Sequence, residues 1–144
     1  VLDAGSVHRG SLKLLEQVDY AVVSQKFARE CTGKKGPQQA AVKLSQYCSA
    51  VVITLGEAGL AWKNEDGSGS LPAYSIDAVD TTGAGDAFHG AFAAGLAYGK
   101  PWEDLLAYAS AVGALCCTKY GARPAIPTAS GVATFLKKHQ KNGN

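Results

Sequence analysis

Short apolar runs alternate with segments of helical periodicity along the first third of the chain. The apolar runs cover residues 1–3, 20–23 and 50–55, and the helical segments cover residues 11–18, 25–31 and 37–48. The run "SAVVITL" is apolar on both faces, as a buried parallel strand is. Strands and helices that alternate at this spacing predict an α/β fold, in which a parallel sheet with right-handed crossovers lies between two layers of helices.

The sequence changes in character after residue 56. Residues 59–62 and 71–76 are expected to form two short strands joined by the flexible link "KNEDGSGS", as a hairpin at the edge of the sheet. Helices are predicted over residues 84–98, 102–118 and 130–138, where Gly99 and Pro101 separate the first two. The polar tail "KKHQKNGN" is expected to fray.

Charge and cysteine content restrict the partners of this chain. With 14 basic and 12 acidic side chains among 144 residues, and like charges adjacent only in pairs, the sequence lacks the charge pattern of a nucleic-acid or membrane binder. Four cysteines without C-x-x-C spacing argue against zinc and favour reduced thiols in the cytoplasm. No apolar run approaches the ~20 residues that span a bilayer. A small-molecule partner is therefore expected.

The stretch "DTTGAGDAFHG", residues 80–90, places three small residues directly before an acid and a helix. A helix N-terminus attracts anions through its free amides, and Gly83, Ala84 and Gly85 would let a phosphate approach them. Asp86 would stand in the first turn as a base, and phosphoryl transfer requires charge neutralisation and a base. Alternatively, Asp86 only complements the helix dipole and the glycines only form a tight turn.

Three segments together resemble the ribokinase-like carbohydrate kinases of the phosphofructokinase B type. They are "VVITLGEAGLAW", "DTTGAGDAFHGAFAAGLAYG" and "ASAVGALCCTKYGARPAIP", and they follow one another in the family's order. The resemblance implies that residues 1–144 correspond to the C-terminal, nucleotide-binding and catalytic half of a ribokinase-like domain, with the N-terminal half absent. The chain opens on residues that read as a strand in progress, which fits that interpretation.

The resemblance also implies roles for individual residues. Asp86 would be the general base that activates a sugar hydroxyl, and the amides of residues 83–86 would form the anion hole for the transferred phosphate. Thr54 and Gly56 would contact the phosphates and ribose of ATP. Ser110 and Gly113 match positions near the adenine.

Two further groups of residues concern metals. The family commonly binds a monovalent cation, and K⁺ is implied here with the oxygen donors Asp80 and the carbonyls of Thr82, Cys116, Lys119 and Gly121. Ala125 departs from this pattern, because the family often has a serine there. The family's N-x-x-E motif, connected with Mg²⁺, is replaced by Ser24 and Phe27, so Mg²⁺ is expected to arrive with the nucleotide.

We therefore expect ATP-dependent phosphorylation of a hydroxyl on a sugar or sugar-like molecule, with little turnover by residues 1–144 alone. Two alternatives stay open at this point: a non-catalytic nucleotide-binding or regulatory protein of the same fold, and a kinase of nucleosides or vitamin precursors. An exposed sheet edge could also pair two copies, so a homodimer is a further expectation.

Overall fold

The computed structural model describes residues 1–141, and the chain forms two compact units that meet in sequence between Pro72 and Ala73. The first unit contains a five-stranded sheet with the order β1-β2-β3-β4-β5. Its strands are β1 (Leu2–Ala4), β2 (Tyr20–Ser24), β3 (Ala50–Thr54), β4 (Leu60–Lys63) and β5 (Ser68–Leu71), and its helices are α1 (Arg9–Leu15), α2 (Gln25–Thr32) and α3 (Pro37–Leu44). A 3₁₀ turn spans Gly56–Ala58.

The first three strands pair in parallel, and β4 and β5 continue the sheet as an antiparallel hairpin. The central strands are buried on both faces: Val51, Val52 and Ile53 are at most 1% exposed. Leu15, Phe27 and Leu44 from the three helices form one core cluster with Val51 and Ile53. The predicted α/β class is confirmed, and so is the hairpin at the edge.

The hairpin's second strand differs from the prediction of residues 71–76. It runs over Ser68–Leu71, so half of the segment predicted as a flexible link is strand. The turn is shorter than expected because the Asn64 side chain accepts a hydrogen bond from the Gly67 amide at 2.9 Å. Lys63 then pairs with Ser68 across the hairpin. Gly69 lies against the Trp62 ring, and a Cβ added at Gly69 would lie 3.0 Å from the ring atoms.

The second unit is helical, with α4 (Ala84–Ala97), α5 (Trp102–Cys116), the short α6 (Ala122–Ala125) and α7 (Ala129–Lys141). Helices α4 and α5 form an antiparallel pair. At one end a Cβ on Gly95 would overlap the Leu105 side chain, and at the other a Cβ on Gly113 would lie 3.3 Å from the Ala84 carbonyl. Glycine at these two positions lets the helices approach closely, so the C-terminal half of α5 lies beside the start of α4.

Several predicted helix ends are wrong by a few residues. The first helix was expected over residues 11–18 and occupies Arg9–Leu15, and the third was expected to reach residue 48 and ends at Leu44. Helix α7 continues to Lys141, so fraying from residue 137 is wrong up to that point, and the last three residues of the predicted tail lie outside the described residues. Helix α6 was not predicted. Among residues 1–141, every helix is too short or too polar to cross a bilayer.

Candidate active site

Helix α4 begins at a glycine turn rather than at a side-chain cap. Gly83 is the N-cap residue, with φ +76°, and no side chain caps the helix there. This left-handed backbone favours glycine, because an L side chain would be strained. A Cβ at Gly83 would also overlap the Cβ of Ala122, so a second loop packs directly against the turn. We call residues 83–86 the cradle.

The cradle presents backbone amides and one carboxylate to solvent. The amide of Ala84 donates to the Thr81 carbonyl at 3.2 Å, and that of Ala87 donates to the Gly83 carbonyl at 2.8 Å. Gly85 and Asp86 lie between these two residues in the sequence. Their amides belong to the first turn, where a helix supplies no acceptor. The Asp86 side chain is exposed in that turn. The arrangement can therefore bind an anion beside a free carboxylate.

Gly85 is a glycine for a different reason from Gly83. An added Cβ at Gly85 meets no atom within 4 Å, and the residue does not have a positive φ. Neither packing nor backbone conformation requires glycine at this position. Because Gly85 has no side chain, the space next to the amides of the first turn is open.

The Asp80 carboxylate connects two loops beside the cradle. One oxygen, Oδ1, accepts from the Thr82 amide at 2.9 Å, and the other, Oδ2, accepts from the Gly121 amide at 2.8 Å, 41 residues along the chain. The Gly121 amide, with the hydroxyl and amide of Thr82, lowers the pKa of the Asp80 carboxyl. Asp80 is therefore held as a carboxylate by groups of the protein itself.

The C-terminal end of α5 holds the same loop from another side. The Cys117 carbonyl accepts hydrogen bonds from the amides of Val79 at 2.9 Å and Asp80 at 3.2 Å. The Cys116 thiol is buried, and burial, with the negative charges of Asp80 and Asp86, raises its pKa. Cys116 is consequently a protonated packing residue beneath the two acids.

The predicted K⁺ site offers fewer free side-chain oxygens than the family pattern implies. Both carboxylate oxygens of Asp80 already accept backbone amides, and Ala125, where the family often offers a hydroxyl, is 2% exposed and has no oxygen in its side chain. The remaining predicted donors are the carbonyls of Thr82, Cys116, Lys119 and Gly121. Within residues 1–141 there is no group of three or more histidine, cysteine or acidic side chains that could hold a metal ion.

The two predicted adenine contacts lie on α5. Ser110 is half-buried and Gly113 is buried. The close approach of Ala84 and Phe88 to Gly113 is sufficient to explain glycine there. A contact of either residue with adenine stays a prediction.

The other predicted nucleotide contacts belong to the first unit. Thr54 ends β3 and is paired in register with Ser24 at the end of β2; its hydroxyl donates to the Val23 carbonyl at 3.4 Å. Gly56 follows, with φ +63° and nothing within 4 Å of an added Cβ. Both residues therefore lie at the carboxyl edge of the parallel strands, where open α/β sheets bind ligands.

The residues in place of N-x-x-E are structural. The Ser24 hydroxyl accepts from the Phe27 amide at 3.0 Å and donates to the Gly5 carbonyl at 2.6 Å, so it caps α2. Phe27 is fully buried in the core of the first unit. Neither side chain fits Mg²⁺, which prefers oxygen ligands that keep access to water.

Comparisons with known proteins identify the family of this chain. The model of the pfkB family of carbohydrate kinases matches residues 2–129. Two similar proteins are a probable fructokinase-5 of Arabidopsis thaliana, 39% identical over 63% of this chain and 30% of its own length, and a ribokinase of Lactococcus lactis, 30% identical over 91% and 43%. A putative ribokinase II from E. coli, solved with ATP and Mg²⁺, has a TM-score of 0.83 and 27% identity over 91% of this chain and 43% of its own. The chain spans less than half the length of these three relatives, and it belongs to the pfkB family of carbohydrate kinases.

Proposed function

We propose that this chain supplies the nucleotide-binding and base-bearing part of an ATP-dependent kinase that phosphorylates a hydroxyl group of a sugar or sugar-like molecule. The observation that carries the proposal is the start of α4. An uncapped glycine turn leaves two amides available, and an exposed carboxylate stands in the same helical turn. Membership of a family of carbohydrate kinases supports the choice of acceptor.

The chemistry assigned to these residues is an in-line phosphoryl transfer. Asp86 accepts the proton of the acceptor hydroxyl. The oxygen of that hydroxyl forms a bond to the γ-phosphorus of ATP. The bond between the γ-phosphorus and the β,γ-bridging oxygen breaks, and ADP leaves. The amides of Gly85 and Asp86 neutralise part of the charge on the moving phosphoryl group, which is the main contribution that a protein makes to this reaction.

The metals enter this proposal in different ways. Mg²⁺ comes bound to ATP and neutralises charge on its phosphates, since neither Ser24 nor Phe27 can ligate it. The E. coli relative solved with ATP and Mg²⁺ supports that pairing. K⁺ is given no role in the step, because each Asp80 oxygen already accepts an amide and Ala125 offers no ligand where the family often has a serine.

The test is substrate-dependent release of ADP by the protein in its natural full length. Ribose, fructose, a nucleoside and a hydroxymethyl pyrimidine form the panel of acceptors. Asp86→Asn should lower kcat by about 10² to 10⁴, the usual contribution of a positioned base, with little change in ATP affinity. The matched control is Asp104→Asn, because Asp104 is also an exposed acid in the third position of its helix, α5. Full activity in Asp86→Asn would overturn the mechanism.

A second candidate is a nucleotide-binding protein of the same fold without kinase activity. The observation that favours it is the replacement of the N-x-x-E pair by a helix cap and a buried phenylalanine. Such a protein would bind ATP by calorimetry and release no ADP with any acceptor in the panel. It would also bind ATP equally well in Asp86→Asn and in the control.

A further inference from the structure

We propose that Asp80 is a positioning residue for the cradle, whose carboxylate joins the loop of residues 80–83 to the loop at Gly121 and so sets the direction of the amides at the start of α4. This inference rests on the proposed function, because it assigns Asp80 to the same site. It differs from the role implied by the family resemblance, in which Asp80 ligates a cation.

The first observation is how the two carboxylate oxygens are used. Oδ1 bonds the Thr82 amide within its own loop, and Oδ2 bonds the Gly121 amide of a distant loop, at 2.9 and 2.8 Å. Hydrogen bonds to an ionised acceptor are stronger than neutral ones. One side chain thus fixes two loops that have no common secondary structure.

The second observation is how closely those loops meet at the N-cap of α4. An added Cβ at Gly83 would overlap Ala122, the residue next to Gly121. Asp80 itself is held by its own amide, which donates to the Cys117 carbonyl. A shift of the Gly121 loop would therefore press on Gly83 and turn the first amides of α4. Asp80 does not contact the phosphate in this arrangement, so it acts through the cradle.

The structural test is amide hydrogen exchange at Thr82 and Gly121 in Asp80→Asn. Asparagine has one side-chain oxygen where aspartate has two, so it can replace only one of the two bonds. We expect exchange at one of these amides to become about tenfold faster, as for a lost hydrogen bond to a charged group. Asp77→Asn is the matched control, since Asp77 is an exposed acid in the same loop and should leave both rates unchanged.

The kinetic test asks whether the loss reaches the reaction. In the protein in its natural full length, Asp80→Asn should lower kcat about tenfold to a hundredfold, while KM for ATP rises less than about threefold, because the substitution changes the direction of the cradle amides and leaves the approach to them open. Asp80→Glu keeps the charge and moves the oxygens, so it should not restore kcat. Restoration by glutamate, or unchanged exchange at both amides in Asp80→Asn, would overturn the proposal.

The dependence of turnover on K⁺ distinguishes a cation-binding role of Asp80 from a positioning role. Turnover of the unsubstituted protein should be the same, within about twofold, when K⁺ is replaced by choline. Strong K⁺ activation that disappears in Asp80→Asn would assign the carboxylate to a cation and overturn the positioning role.

The outcomes also distinguish this inference from the proposed function. If the unsubstituted protein phosphorylates no acceptor, the proposed function fails, while the exchange rates at Thr82 and Gly121 in Asp80→Asn still decide the inference. If both Asp80 variants fail to fold by circular dichroism, exchange in the unsubstituted protein decides it. Unprotected amides at Thr82 and Gly121 would then refute the connection between the loops.

Discussion

Helices α2 and α4 begin in opposite ways. At the start of α2, the Ser24 hydroxyl accepts from the Phe27 amide and also donates to the Gly5 carbonyl, and the Phe27 side chain is fully buried. At the start of α4, Gly83 provides no side-chain cap, and an added Cβ at Gly85 would meet open space. Both helices have a first turn whose amides lack helical acceptors, and a side chain accepts one of these amides at α2, whereas no side chain does so at α4.

This contrast indicates which helix start is available to a ligand. A side-chain cap satisfies one donor of the first turn and occupies the approach to it. An uncapped turn with glycine keeps the same donors for an anion. The pfkB family has an acid in its N-x-x-E motif, and in this chain Phe27 takes that place in the core, so the start of α2 has become structural. The proposed chemistry is concentrated at α4.

The largest expected effect comes from putting the family's acid back into α2. Phe27→Glu would place a carboxylate at a fully buried position and remove an aromatic side chain from the core. We expect the free energy of unfolding to fall by about 3–5 kcal/mol or more, without any gain in Mg²⁺-dependent turnover. The measurement is urea denaturation followed by the fluorescence of the two tryptophans, Trp62 in the first unit and Trp102 in the second.

The matched control for Phe27→Glu is Gln25→Glu, which adds the same charge at the first position of the same helix. An acid in the first turn complements the helix dipole, so stability should change little. A Phe27→Glu variant as stable as this control would show that the site tolerates an acid, and the contrast between α2 and α4 would be lost.

The second effect concerns the backbone of the cradle. Gly83→Ala requires a left-handed conformation of alanine and pushes a methyl group against Ala122. The expected loss in the free energy of unfolding is about 1–3 kcal/mol. The fluorescence of both tryptophans reports the transition, since each unit contains one of them.

The matched control is Gly10→Ala in α1. Gly10 has no positive φ and an added Cβ meets no atom within 4 Å, so alanine should be neutral or stabilising there. Equal stabilities of the two variants would contradict the role assigned to Gly83.

Much of this arrangement could be predicted from the sequence. The strands "YAVV" and "SAVVITL" and the break at Gly99 and Pro101 follow local rules. The order of the strands and of the longer helices and the start of α4 are therefore predicted correctly. The hairpin strand was misplaced because the turn depends on one side-chain bond, from the Gly67 amide to Asn64. The bond between Asp80 and Gly121 has no local signal, since 41 residues separate the partners. Side-chain roles that depend on such distant pairs require the structure.

The smallest expected effect on stability is also the sharpest test of the cradle. Gly85→Ala adds one methyl group in open space at a backbone conformation that alanine adopts freely, so stability should stay the same or rise by up to about 1 kcal/mol. Binding of ATP, measured by calorimetry on the protein in its natural full length, should weaken at least about tenfold, because the methyl group occupies the approach to the amides of residues 85 and 86. Gly90→Ala is the matched control: Gly90 is exposed on the same helix, and an added Cβ there also meets no atom within 4 Å. This control should show the same gain in stability and unchanged affinity.

The two substitutions are alike in helix, chemistry and freedom from contact. A difference in ATP affinity between them can therefore come only from position. Equal affinities would mean that the start of α4 is as closed to a phosphate as the start of α2.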